Sequence, residues 1–162
     1  MSDENRLIVN SQLFEQTLFG LRERSVTRRE SGAIWAGKID GTNNWVGEQV
    51  YFHHELCDER GTALSLELTE AAKFQLYQKL SKEGRQLIAL LHTHPEDWVD
   101  LSSIDQDNQL SSRIGFWSIV IPWYARPPWD TEAMGIHVRS NPGWYRLTES
   151  EIRRRFLITH EK

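Results

Sequence analysis

Two histidines one residue apart, His92 and His94, and an aspartate further on, Asp105, are the residues of this chain best placed to do chemistry. They occur in the runs His92-Thr93-His94-Pro95 and Ser102-Ser103-Ile104-Asp105, just after the apolar stretch Leu87-Ile88-Ala89-Leu90-Leu91. Residues two apart on a strand face the same side, about 6.5 Å apart along the chain. Two imidazoles at that spacing can reach one zinc ion at about 2.0–2.1 Å each, and a carboxylate suits the third position. Three protein ligands leave a fourth position for water, which marks a catalytic site, and zinc brings the pKa of that water to about 7. Hydrolysis then needs a proton acceptor for the water and a proton donor for the leaving amine, and one carboxylate can serve both in turn. Glu30, just before the small-residue stretch Ser31-Gly32-Ala33, is the candidate. Ser102 can donate a hydrogen bond to the developing oxyanion.

The elements that must position these groups follow from periodicity. Asn10 or Ser11 caps a first helix with Phe14, Leu18 and Leu21 on one face. Residues 33–39 form a strand, and Asp40-Gly41 a turn. Val46 to Leu56 and Ala63 to Leu68 read as further strands, the latter from its alternation. Thr69 caps a second helix with Ala72, Leu76 and Leu80 inward, and Gly84 ends it. Leu87 to Leu91 is a buried central strand. A short helix from about Ser103 to Ser112, a strand from Phe116 to Trp123, and strands at Met134–Arg139 and Trp144–Leu147 come next. Pro122 to Asp130 holds three prolines and is an irregular loop. Thr148-Glu149-Ser150-Glu151 has the capping-box form and opens a last helix, with Ile152 and Phe156 inward. The mixture predicts an α/β (mixed α+β) fold with a curved mixed sheet flanked by helices.

Composition narrows the function classes. The 162 residues suit a single domain over 1–162, and a net charge of −4 argues against a nucleic-acid binder. One cysteine, Cys57, excludes an internal disulfide framework and a cysteine-rich metal site; it reads as a small buried residue. No apolar run approaches the roughly 20 residues that span a bilayer. The first ten residues lack a secretion-signal pattern, so a cytoplasmic location and no membrane partner are expected. His53 and His54 are adjacent on the strand expected there, so they point apart and do not form a second metal pair.

The pattern His92-x-His94, seven residues, Ser102, two residues, Asp105 resembles the signature of JAB/MPN/Mov34 (JAMM) zinc metallopeptidases. Glu30 before Ser31-Gly32-Ala33-Ile34-Trp35-Ala36-Gly37 is similar to that family's upstream glutamate before a glycine-containing first strand. The resemblance implies one Zn2+ held by His92, His94 and Asp105, with Glu30 as general acid/base and Ser102 supporting the intermediate. It implies a single JAB/MPN-type domain that cleaves a peptide or isopeptide bond after the C-terminal tail of a ubiquitin-like protein. The back half resembles small bacterial members encoded beside E1-like and E2-like proteins, some with an anti-phage role.

Other readings stand beside these. An MPN-type scaffold without catalysis, or a zinc hydrolase of small amide or sulfur-carrier substrates, would share the fold. Ser102-x-x-Asp105 also fits a helix cap, and Glu30 a surface ion pair with Arg28 or Arg29. Arg22, Arg24, Arg28 and Arg29 read equally as a docking patch or a solvated face, and Arg153–Arg155 as solvated. The Trp123–Trp129 loop either covers an extended substrate tail or packs its tryptophans on the domain.

Overall fold

The computed structural model describes residues 4–25, 30–56, 68–107 and 110–160. Eight strands form one sheet: β1 (Arg6–Asn10), β2 (Gly32–Ile39), β3 (Asn44–Phe52), β4 (Gln86–Thr93), β5 (Trp117–Ile121), β6 (Gly135–Arg139), β7 (Trp144–Arg146) and β8 (Phe156–Thr159). Their order is β7-β6-β5-β4-β2-β3-β1-β8. The sheet is mixed: β1 runs parallel to β3 and β8, β4 runs parallel to β5, and the remaining neighbours are antiparallel. The expected mixed α/β architecture is therefore present.

Helices cover both faces of the sheet. α1 (Ser11–Ser25) begins where Asn10 Oδ1 accepts the Leu13 backbone N–H at 2.7 Å. It buries Leu13, Phe14, Leu18 and Leu21, and its Thr17 hydroxyl accepts the indole N–H of buried Trp35 at 2.8 Å. α2 (His53–Leu56) follows β3 directly. α3 (Glu70–Glu83) is capped by Thr69 and stopped by Gly84 at φ 69°, a left-handed position that glycine takes without a Cβ penalty. It lies on the opposite face, where Tyr51 donates to Glu83 at 2.7 Å. α4 (Ser103–Asp107) and α5 (Glu149–Arg155) complete the set, and α5 carries the expected capping box between Thr148 and Glu151.

Several expectations are corrected. The strand expected to run to Leu56 ends at Phe52, so His53 and His54 belong to α2. The β2–β3 ladder stops at Ala33↔Phe52, and Glu55 accepts the freed Phe52 N–H at 3.2 Å, closing a helical turn instead. α4 is shorter than expected. β5 starts at Trp117 and ends before Pro122, which has no N–H for a ladder. β1 and β8 were absent from the periodic reading. Phe156 is buried as expected, but at the start of β8, packed edge-to-face on Phe14 and Trp35 at 6.2 Å each. Arg153 and Arg154 are exposed in ion pairs, whereas Arg155 is buried, its guanidinium donating to Asn5 O and Oδ1. The strand expected at Ala63–Leu68 lies outside the described residues except for Leu68, and Cys57, Arg28 and Arg29 lie outside them too. Among the described residues no helix is long and apolar enough to cross a membrane.

Candidate metal centre

His92 sits at the centre of the sheet, paired with Gly32 of β2 on one side and Val120 of β5 on the other. Its neighbour Thr93 points to the α1 face and ties down the strand end. Thr93 Oγ1 accepts the Ser31 N–H at 2.9 Å, and the Thr93 N–H returns to Ser31 O at 3.0 Å. Ser31 Oγ lies 2.9 Å from Ser25 Oγ of α1 and donates to Leu21 O at 2.8 Å. This buried network brings Glu30, the residue before Ser31, beside the end of β4. His94 lies just past the strand, its N–H on Ile121 O and its carbonyl accepting Tyr124 N–H, each at 2.9 Å.

Three ligand atoms converge. His92 Nε2 and His94 Nε2 are 3.2 Å apart, and Asp105 Oδ2 is 3.3 Å from each. A charge-assisted N–H···O bond is about 2.7–2.9 Å, so these are loose contacts for a shared proton. A tetrahedral zinc with bonds of about 2.0–2.1 Å has ligands about 3.3–3.4 Å apart, and the observed triangle fits that face. The tautomer fits as well. His94 Nδ1 is 2.8 Å from the Trp98 carbonyl, which can only accept, so Nδ1 carries the proton and the neutral ring keeps a lone pair on Nε2. Among the described residues, His92, His94 and Asp105 are the one group of three such side chains able to hold a metal ion.

Asp105 is placed by a local device. Ser102 Oγ accepts the Asp105 N–H at 3.0 Å, while Asp105 Oδ2 accepts the Ser102 N–H at 2.9 Å. The helix-cap reading and the ligand reading of Ser102-x-x-Asp105 therefore coexist. Burial pushes the Asp105 carboxyl up, but without metal the hydrogen bonds it accepts from a histidine whose Nε2 is protonated, His92 or the His94 imidazolium, outweigh it and hold the group far below the usual carboxylate range. Burial lowers His94, but the Asp105 hydrogen bond and the Trp98 carbonyl raise it on balance. Glu30 is raised, chiefly by burial, with His92 and His94 opposing and Asp105 adding.

Glu30, His94, Ser102 and Asp105 line one pocket of about 320 Å³, walled also by Pro95, Glu96 and Trp98, and His92 Nε2 lies 3.3 Å from Asp105 Oδ2. All five residues singled out in the sequence thus meet at one place. Trp98 was missed. Its backbone orients His94, and its half-exposed ring stacks on the His94 imidazole at 5.1 Å and 9°. The sequence signal for its ring is a tryptophan four residues past a candidate ligand, in the loop between His94 and Asp105. In the Trp123–Trp129 loop, Ala125 is fully buried and accepts the Trp129 indole N–H at 2.6 Å, while Trp123 is exposed.

Solved structures share this architecture. A protein from Desulfitobacterium hafniense superposes with a TM-score of 0.65 at 16% identity, over 96% of this chain and 94% of that one. A JAB1/MPN domain protein from Archaeoglobus fulgidus matches with a TM-score of 0.51 at 16% identity, over 93% of this chain and 98% of that one. The fold is MPN-like. A Salinibacter ruber protein shares it at a TM-score of 0.56 and 14% identity, over 86% of this chain and 87% of that one. No protein-family model and no curated protein matches the sequence. At these identities the likeness speaks for the MPN-like fold, and the side chains of this chain must carry the chemistry.

Proposed function

We propose that this protein is a zinc-dependent peptidase that hydrolyses a peptide or isopeptide bond after the C-terminal tail of a ubiquitin-like protein. The observation that carries the reading is the meeting of His92, His94 and Asp105 in a ligand triangle beside Glu30 and Ser102 in one open pocket. Bound there, zinc would act as a Lewis acid on the scissile carbonyl and bring the pKa of a water to about 7. Glu30 takes the proton of the attacking water and delivers it to the leaving amine. Its burial favours the protonated form and so suits the delivery half of that role. Ser102 Oγ already accepts from Asp105 N, which leaves its own hydrogen to donate to the oxyanion. Asp105 and His94 stay fixed by Ser102 N and the Trp98 carbonyl.

The choice of a ubiquitin-like substrate, and of E1-like and E2-like companions in an anti-phage conjugation system, rests on the sequence resemblance. A pocket of about 320 Å³ is also at the lower end for a small-molecule site, about 300–1,000 Å³. Small amides or sulfur-carrier conjugates are therefore the second reading. A ubiquitin-like protein fused through its tail to a reporter, assayed against a short amide, separates the two. Glu30→Gln should lower turnover of the fusion by about 10²–10⁴-fold and leave bound zinc unchanged. A variant that holds zinc and turns over at the wild-type rate removes Glu30 from the mechanism.

A further inference from the structure

The ligand-bearing loop is braced from a hairpin that the proposed chemistry does not use. Between His94 and Ser102, the loop buries Val99 and Leu101 against Val120 of β5, with Trp144 of β7 packed on the cluster. Asp100 is ion-paired with Arg146 of β7. Under the loop lies Gly135, the first residue of β6. A Cβ built there would run into the carbonyl oxygen of Val99, and would come within 2.8 Å of its carbonyl carbon and 2.9 Å of its Cβ. Gly135 does not have the positive φ of Gly84 or Gly115. Close approach of backbone, rather than a left-handed turn, is the reason for glycine at this position.

Val99 shares a peptide unit with the Trp98 carbonyl, and that unit is planar and stiff. The crowded atoms, Val99 O, C and Cβ, hang from the Val99 Cα that closes this unit, so a shift of that Cα moves the oxygen that receives the His94 Nδ1 proton at 2.8 Å. We infer that Gly135 is a positioning residue for the metal centre: by seating Val99 against β6, it holds the Trp98 carbonyl where that oxygen fixes the metal-binding tautomer of His94. The inference rests on His92, His94 and Asp105 being the metal ligands. The Arg146–Asp100 pair latches the same loop from its solvent side, with both side chains about half exposed. Loss of a partner that orients a metal-bound histidine costs about 10–100-fold in metal affinity.

The test uses the full chain and needs no substrate. Zinc affinity is measured by competition with a chelator. In metal-free protein in alkaline buffer, long-range proton–nitrogen NMR reports which His94 nitrogen carries the proton. Gly135→Ala should bind zinc about 10–100-fold more weakly and lose the pure Nδ1–H tautomer. Arg146→Ala should move both readouts in the same direction by less, and Arg146→Lys should recover them. The thermal midpoint of the metal-free protein identifies a merely structural effect. A lowered midpoint with unchanged zinc affinity and unchanged tautomer overturns the inference. If Gly135→Ala does not fold, Arg146→Ala decides by the same readouts. If wild type bound no zinc, the metal reading would fall, and an unchanged tautomer in the variants would still overturn the bracing role.

Discussion

Replacing Asp105 by asparagine separates metal binding from folding at one atom. Asp105 Oδ2 accepts the Ser102 N–H at 2.9 Å and faces both Nε2 atoms at 3.3 Å. An asparagine oxygen can still accept from Ser102, so the local cap survives, but the anionic ligand is lost. The zinc shift of each protein is taken against its own metal-free midpoint, so a change in the metal-free stability of the variant does not enter the comparison. With zinc held at 100 times the wild-type Kd, wild type gains about 2.7 kcal/mol. For a chain of this size each kcal/mol moves the midpoint about 2–4 °C, so the zinc shift should be about 5–11 °C. Loss of a partner that merely orients a ligand weakens metal binding up to about 100-fold, and loss of a ligand itself should do at least that. At a 100-fold weaker site the same zinc equals Kd, and RT ln 2 leaves about 0.4 kcal/mol, or about 1–2 °C. Differential scanning fluorimetry with and without zinc reads the difference directly. A variant shift equal to that of wild type would refute the ligand triangle, and so would the absence of any zinc shift in wild type.

Two further substitutions probe the surroundings. Burial raises the Glu30 pKa in the folded chain. Such a carboxyl favours the native state while protonated, and that contribution is lost as pH rises through the raised value. Glu30→Gln should therefore raise the stability of the metal-free protein at neutral pH, with the gain disappearing in acid; denaturant melts at both pH values check the sign, and a loss at neutral pH contradicts it. Thr17→Val leaves the buried Trp35 indole N–H without its 2.8 Å acceptor, which should cost about 1–3 kcal/mol in urea unfolding. Thr17→Ser, which keeps the oxygen, should lie near wild type, and equal losses in the two variants would show that packing rather than the hydrogen bond is at stake.

Glu30 illustrates a wider tension in this site. A half-buried carboxylate facing another carboxylate is a poor choice for stability, and its protonation equilibrium is shifted for that reason. Shifted groups of this kind gather at functional sites because the environment that moves them is the one the reaction needs. The bracing loop shows the complementary arrangement. Val99 and Leu101 are buried although they lie outside any regular element, so the loop is held by packing where its backbone must be accurate.

The parts of this protein that depend on short spacing are legible in its residues alone. His92-x-His94 needs only the two-residue repeat of a strand to converge, and Ser102-x-x-Asp105 only one helical turn. α1, α3, the centre of β4 and the α5 capping box were legible because apolar period and cap residues are local signals. β1 and β8 were not. β1 takes its partners from residues 44–46 and 156–159, and parallel pairing across such distances leaves no turn signal beside either strand. His53 and His54 were misassigned because their strand character depended on a partner, and the ladder to β2 runs out at Ala33. Arg155 reads as solvated in the sequence because nothing nearby in the chain shows that Asn5 will supply it with two acceptors. Glu30 stood out by its place before a small-residue strand, yet only the Ser31–Thr93 pairing, 62 residues apart, sets it at the pocket. The Trp98 carbonyl and the space at Gly135 were decided by tertiary structure alone. A backbone oxygen has the same chemistry at every residue, and an absent side chain matters only when another segment fills its place.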